Sequence, residues 1–243
     1  TGQLDEAAAE WQRSADLYRE ASLGPRETLS LLGLVQVHLA RNDLGAAEAV
    51  GARLVELAPQ VQLTSYFHGL VKFRRGHLDE AAALVQPLVN ASPETVQYRS
   101  LLGAIQLARG NVGQAEQQFL RVLALSPRDP AAAKLLAETR LRQQRPDAAL
   151  EALLAVQDAA ADDPQIGLLS GVATMLSGNA EQGLLYLEQA AAMDPTNELL
   201  KLQLARAYLS TGRDSEASAL LSGSFGDDAH AIEAKLLRLF AES

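Results

Sequence analysis

The side chains that could act in catalysis or hold a metal ion are few, and their spacing keeps them apart. The chain contains no cysteine, which excludes disulfides and thiolate metal sites. The four histidines fall at different phases of a 34-residue periodicity described below, so we do not expect them to converge on one site. These histidines are His38, His68, His77 and His230.

Two acidic pairs, Asp162–Asp163 and Asp227–Asp228, each precede a predicted helix. Carboxylates at such places cap helix N-termini more often than they bind cations, because calcium needs six or more oxygen ligands from an organised loop. The zinc-protease, phosphate-loop and nucleophile-elbow motifs do not occur in the sequence. The sequence therefore predicts a protein that is not an enzyme and that uses no cofactor and no metal. An enzyme with an unrecognised site is one of the alternatives.

The composition narrows the classes of partner. The net charge of -9 argues against nucleic acid, which requires a basic footprint. Aromatic residues make up 5% of the chain, which is few for a stacking surface that binds bases or sugars. No apolar run reaches the length of a transmembrane helix.

A turn signal recurs every 34 residues, and small residues and prolines recur at fixed distances after it. The turn positions are Asn42, Gly76, Gly110, Gln144, Gly178 and Gly212. Five residues after each turn stand Ala47, Ala81, Ala115, Ala149, Gly183 and Ala217. Seventeen residues after four of the turns stand Pro59, Pro93, Pro127 and Pro195.

Each of these signals has a physical reason in a pair of packed helices. Glycine or asparagine takes the left-handed conformation that ends a first helix, and small residues let neighbouring helices approach closely. Proline ends the second helix because it cannot continue the hydrogen-bond ladder. Between these signals the apolar residues follow a helical period and do not alternate as in strands. The sequence predicts an all-α superhelical solenoid of helix hairpins, packed as one continuous domain.

This pattern resembles the tetratricopeptide repeat, which has a 34-residue period. The third copy carries the resemblance best, with Leu102-Gly103, Gly110-Asn111, Ala115, Phe119 and Pro127. The copies begin at residues 28, 62, 96, 130, 164 and 198, after a half-repeat over 1–27 and before a terminal helix at about 228–241. Because the chain opens in the middle of a repeat, we expect it to be a fragment of a longer protein.

Three places depart from the family pattern. The aromatic residue expected before the turn occurs only as Tyr208. Pro146 replaces the usual sequence after the turn at Gln144 and suits the first position of a helix. Pro87 lies inside a second helix and predicts that this helix is kinked or shortened.

The resemblance implies a binding groove formed by one face of the first helices. Mapped onto this sequence, the candidate partner-binding residues are Leu63, Tyr66, Leu70, Phe73, Arg74, Lys134, Arg142 and Arg206. Leu29 holds the place of Leu63 in the preceding copy, and Glu138 is the one acidic residue of the mapped set. The groove is therefore expected to be apolar at its N-terminal end and positive further along. Alternatively, the apolar residues form the core between repeats.

A narrower resemblance rests on Gly178-Asn179-Ala180-Glu181-Gln182-Gly183, on Asp194-Pro195-Thr196-Asn197 and on Gly212-Arg213-Asp214-Ser215-Glu216-Ala217. These segments look like the tetratricopeptide lipoprotein of the PEP-CTERM/exosortase system of Gram-negative bacteria. The resemblance implies a protein–protein interaction scaffold in exopolysaccharide synthesis or export, or in PEP-CTERM protein sorting. It also implies a periplasmic location, with attachment to the outer membrane through a lipid anchor outside this chain.

Alternatives to this function stay open. A polysaccharide-binding carrier in the periplasm would use the same groove, and a generic adaptor in the cytoplasm would need no anchor. The expected partner is a protein or peptide, with polysaccharide as the second possibility and nucleic acid excluded by charge.

Overall fold

The computed structural model describes residues 2–156, 162–223, 225 and 228–241, and this part of the chain forms 14 helices and no strand. The predicted all-α class of helix hairpins is therefore confirmed. Asp227, the first residue of the second acidic pair, lies outside the described residues.

The helices alternate between first and second members of hairpins, beginning with a second member. They are α1 Gly2–Glu20, α2 Gly24–Ala40, α3 Leu44–Leu57, α4 Gln62–Arg74, α5 Leu78–Ala91, α6 Val96–Ala108, α7 Val112–Leu125, α8 Pro130–Arg142, α9 Pro146–Leu154, α10 Pro164–Leu176, α11 Ala180–Met193, α12 Glu198–Ser210, α13 Asp214–Leu221 and α14 Asp228–Ala241.

The turn between the helices of each hairpin has the predicted left-handed backbone. Asn42 and Gln144 have φ values of 57° and 59°, and the four glycines at the equivalent positions have φ values from 73° to 91°. This left-handed conformation strains the backbone of Gln144, whereas glycine adopts it without strain. The hydrogen bond from the Gly110 amide to the Leu107 carbonyl closes the first helix of its hairpin.

Two local expectations are corrected. The first helix of copy one begins at Gly24, four residues before the predicted start at Thr28, because Pro25 in the first turn is preorganised for a helical φ. Of the two effects predicted for Pro87, the shortening is wrong, since α5 has 14 residues, as do α3, α7 and α11. The kink stays a prediction. The α5 turns before and after Pro87 are buried through Val85, Leu88 and Val89, and this packing offsets the missing backbone hydrogen bond.

The chain divides into two compact units, Thr1–Arg121 and Val122–Ser243, and the division falls within α7. In unit 1 the core includes Leu34, Val35, Leu54, Val85 and Leu102, all nearly without solvent contact. In unit 2 buried alanines and leucines of α8 to α13 form the equivalent core.

Glycines seven residues before a turn let the two helices of a hairpin touch. A Cβ at Gly103 would lie 2.6 Å from Cε1 of Phe119, and one at Gly171 would lie 2.6 Å from Cγ of Leu187. No side chain fits at these crossings without displacing a core residue. The close approach fixes which face of each first helix remains available for contacts outside its own hairpin.

Candidate functional site

In unit 1, α4 carries five of the predicted partner-binding residues, and the structure separates them into two groups. Leu63 and Arg74 are exposed. Tyr66, Leu70 and Phe73 are half-buried against a cluster that includes residues of α6. These three residues therefore contribute to the core between repeats as well as to the surface.

The Tyr66 ring lies among other aromatic rings. Its centroid is 5.2 Å from that of Phe67, in an edge arrangement, and 5.5 Å from that of Tyr98 on α6. Burial raises the pKa of the Tyr66 phenol above its ordinary value, and the neighbouring Tyr98 adds to this increase. Tyr66 is therefore a neutral side chain that joins α4 to α6.

An apolar cavity of about 440 Å³ opens beside Leu63, where the first turns of α2 and α4 meet the end of α3. We call it the apolar cup. Its lining includes Pro25, Thr28, Leu29, Leu57, Val61 and Leu63. Leu29 is 66% exposed and Leu63 is 46% exposed, so both leucines present apolar surface to solvent at its edge.

The sequence pattern placed Leu29 and Leu63 on this face but missed Leu57 and Val61. Those two residues belong to the end of a second helix and the loop after it, which a mapping of first helices leaves out. The apolar Val61 directly before α4, where a polar capping residue is usual, is the signal that could have found them.

The basic residues of the predicted groove are each held by a polar partner. In unit 1, Arg74 donates a hydrogen bond to the Asn42 side chain at 2.9 Å. In unit 2, Lys134 lies 2.7 Å from Asp163, Arg142 lies 2.6 Å from Glu138, and Arg206 lies 2.7 Å from Glu233; these distances join side-chain nitrogen and carboxylate oxygen. The predicted positive charge of this face is thus offset in unit 2 by three carboxylates.

Asp163 is an example of a pairing that the sequence pattern did not predict. Burial alone would raise its pKa, but hydrogen bonds from Lys134 and from the Gln165 amide lower the pKa below its ordinary value. Asp163 also caps α10 through that amide, at 2.9 Å. Its capping role was predicted, whereas its position beside Lys134, 29 residues earlier, depends on how consecutive first helices pack.

The histidines lie on different helices or turns, and each is near one carboxylate. The partners are Asp43 for His38, Glu48 for His68, Glu80 for His77 and Glu198 for His230. Burial lowers the pKa of His38 despite the nearby Asp43. Within the described part of the chain, no three histidine or acidic side chains are grouped so that they could hold a metal ion.

Sequence comparison identifies the repeat. One tetratricopeptide repeat model matches residues 106–171 and 175–238, and a second matches residues 1–61 and 68–130. The chain belongs to the tetratricopeptide repeat family. Proteins of this family bind peptides or proteins, so the repeats imply a scaffold for protein–protein interaction, and their fold is typically non-catalytic.

One curated relative is the tetratricopeptide repeat and J domain-containing co-chaperone DNJ1 of Fusarium oxysporum f. sp. lycopersici, which is 46% identical over 66 residues. The match covers 27% of this chain and 13% of the length of that protein. A match of this length supports the repeat alone.

Solved structures show the same fold at low identity. A chain of the APC/C hetero-tetramer Cut9–Hcn1 has a TM-score of 0.82 and 14% identity, and the match covers 97% of this chain and 46% of that one. A tetratricopeptide repeat protein from Parabacteroides merdae has a TM-score of 0.75 and 13% identity, covering 100% and 93%. YrrB, described as a TPR protein with an unusual peptide-binding site, has a TM-score of 0.58 and 19% identity, covering 80% and 97%.

Among the described residues, none of the tetratricopeptide helices combines the length and apolar character needed to cross a membrane.

Proposed function

We propose that this protein is an interaction scaffold in which the apolar cup of unit 1 binds an apolar segment of another protein. The observation that carries the proposal is the pair of exposed leucines, Leu29 and Leu63, at the edge of a cavity of about 440 Å³. A cavity of this size accepts one or two large side chains, and a few side chains anchored in desolvated pockets carry most of the binding energy at protein interfaces.

The chemistry of the cup favours a neutral apolar anchor. The residues that line it carry no charged side chain, and leucine, valine and proline form most of its wall. A partner with leucine, isoleucine or phenylalanine at its centre would bury these leucines against itself. Charged partner residues would be placed outside the cup.

A polysaccharide is the less favoured occupant. Sugar rings bind to exposed aromatic faces, but Tyr66 and Phe73 are both half-buried and the Tyr66 ring packs against Phe67 and Tyr98. The cup itself is aliphatic and offers few hydrogen-bonding groups for sugar hydroxyls. This difference supports a protein segment over a carrier function for polysaccharide.

The test is a selection of phage-displayed peptides on the intact 243-residue chain, followed by affinity measurements on the enriched peptides by fluorescence polarisation. We expect Leu63→Glu to weaken binding by at least about tenfold, because a charge placed at an apolar anchor removes about 2 kcal/mol or more. Leu154→Glu is the matched control, since Leu154 is also an exposed leucine, 63% exposed, but belongs to α9. Equal affinity of wild type and Leu63→Glu, or binding on a glycan array with no enriched peptide, would contradict the proposal.

We place this scaffold in exopolysaccharide synthesis or export, or in PEP-CTERM protein sorting, with a periplasmic location. The support for this setting is the sequence resemblance of the segments around Gly178, Asp194 and Gly212. Fractionation of source cells with an antibody to the chain should then recover it with periplasmic and outer-membrane markers. Recovery with cytoplasmic markers would contradict the setting and leave the binding proposal intact.

A further inference from the structure

Helix α2 is one turn longer at its start than the first helices α4, α6, α8, α10 and α12. It has 17 residues, whereas each of those five helices has 13. The added turn is Gly24–Glu27, since Gln62 at the start of α4 is the place equivalent to Thr28. Gly24 and Pro25 line the apolar cup. One side of the cup is therefore this added turn, which we call the α2 wall.

The α2 wall is weakly held by its own helix. The amides of Arg26 and Glu27 both donate to the Leu23 carbonyl at 3.0 Å and close the first turn. Leu23 holds the N-cap position, and it makes no side-chain hydrogen bond to the amides that follow. A helix start without a capping side chain frays unless a contact with another element holds it. The position of the α2 wall therefore depends on what ties it to its neighbours.

An ion pair ties the α2 wall to α3. Oε1 of Glu27 accepts hydrogen bonds from Nε and Nη2 of Arg53, at 3.4 and 3.3 Å. The Glu27 side chain is 6% exposed and the Arg53 side chain is 44% exposed. Arg53 stands one helical turn before Leu57, which lines the cup on the α3 side. The ion pair thus joins the two helices that form facing sides of the cup.

Stability alone is a poor explanation of this pair. Its contacts are longer than the roughly 2.7–2.9 Å of a strong charge-assisted hydrogen bond. Burial also removes much of the hydration of the Glu27 carboxylate, a loss that such contacts do not fully replace. What the pair supplies is a fixed distance between the α2 wall and α3. A cavity that is formed in advance binds more tightly than one that must be ordered on binding.

We infer that Glu27 and Arg53 are positioning residues of the apolar cup, which hold the α2 wall against α3 and so keep the cavity formed for an apolar segment. This inference rests on the function proposed for the cup. Neither residue lines the cavity, so their effect is on the shape of the site. Without the pair, the wall is ordered in a fraction of the molecules, and the apparent affinity falls by that fraction.

The experiment uses the intact chain and the tightest peptide selected on the wild type, and it measures association and dissociation rates by stopped-flow fluorescence. Arg53→Met strands the buried Glu27 carboxylate, which then draws the α2 wall toward water. We expect it to lower the association rate about tenfold and to leave the dissociation rate within about twofold, because the wall must be ordered before the segment binds. Glu27→Gln keeps a neutral acceptor and should lower the association rate about threefold.

The double variant gives a readout that a direct contact with the peptide would not give. Adding Glu27→Gln to Arg53→Met removes the stranded charge, so the association rate should recover to that of Glu27→Gln alone. A double variant that binds as slowly as Arg53→Met would overturn the inference. So would an Arg53→Met chain that unfolds more easily but binds the peptide at the wild-type rate, because the pair would then be a structural contact only.

Glu56→Gln is the matched control. Oε2 of Glu56 lies 3.9 Å from Nη1 of Arg53, but the Glu56 side chain is 73% exposed and belongs to α3 itself. It cannot hold the α2 wall, so both rates should equal those of the wild type. Circular dichroism at the temperature of the measurement checks that each variant is folded.

Methyl NMR of the free, leucine-labelled chain separates this inference from the proposed function. Leu29 lies two residues after the α2 wall, and we expect Arg53→Met to broaden its methyl signals while those of Leu154 stay unchanged. If no selected peptide depends on Leu63, the function proposed for the cup fails, and the free-chain spectra still decide whether the pair holds the wall. Unchanged Leu29 signals in Arg53→Met would contradict that role.

Discussion

Replacing Phe119 by alanine is expected to lower the free energy of unfolding by about 3–5 kcal/mol. Phe119 is fully buried, and its ring occupies the space beside Gly103 where α6 and α7 cross. The substitution leaves a cavity that neither helix can close, because the crossing is already set by the glycine.

Urea denaturation followed by circular dichroism measures this loss. Leu120→Ala is the matched control: Leu120 follows Phe119 on the same helix but is 43% exposed, so its truncation should cost about 1 kcal/mol or less. A loss below about 1 kcal/mol for Phe119→Ala would mean that Phe119 does not hold this hairpin together.

Replacing Gly183 by alanine is expected to lower the free energy of unfolding by about 1–3 kcal/mol, although alanine is the better helix former. A Cβ at Gly183 would lie 2.3 Å from Cγ of Met175 and 2.8 Å from the backbone oxygen of Gly171. Met175 can rotate away, but the Gly171 carbonyl belongs to α10 and can move only with its helix. The clash therefore outweighs the gain in helix propensity.

The matched substitution is Gly113→Ala in α7, where an added Cβ meets no atom within 4 Å. It should stabilise the chain by up to about 1 kcal/mol, because alanine favours the helical conformation more than glycine does and meets no clash here. Thermal unfolding of the two variants, measured under the same conditions, gives the sign of each change in stability. If Gly183→Ala stabilised the chain as Gly113→Ala does, the conclusion that α10 and α11 are too close to admit a Cβ at Gly183 would be contradicted.

The repeat and its turns were predictable because they depend on local chemistry. Each local feature requires a particular residue type: glycine or asparagine at a left-handed turn, proline after a helix, and a small residue where helices cross. These residue types recur at a fixed spacing, which six turns repeat. Even Gln144, a poor residue for positive φ, was placed correctly by register alone. The start of α2 was misplaced because the register continues through a junction where Pro25 begins the helix earlier.

The candidate sites were less predictable because they depend on contacts between repeats. The carboxylates that pair with Lys134 and Arg206 lie 29 and 27 residues further along the chain, in other helices.

The central claim, that the apolar cup binds an apolar protein segment, is tested most directly by methyl NMR of leucine-labelled chain during titration with a selected peptide. We predict that the largest chemical-shift changes fall on the methyl groups of Leu29, Leu57 and Leu63, and that Leu63→Glu removes them. Shift changes confined to leucines outside the cup, or a peptide that binds without perturbing Leu29 and Leu63, would contradict the claim.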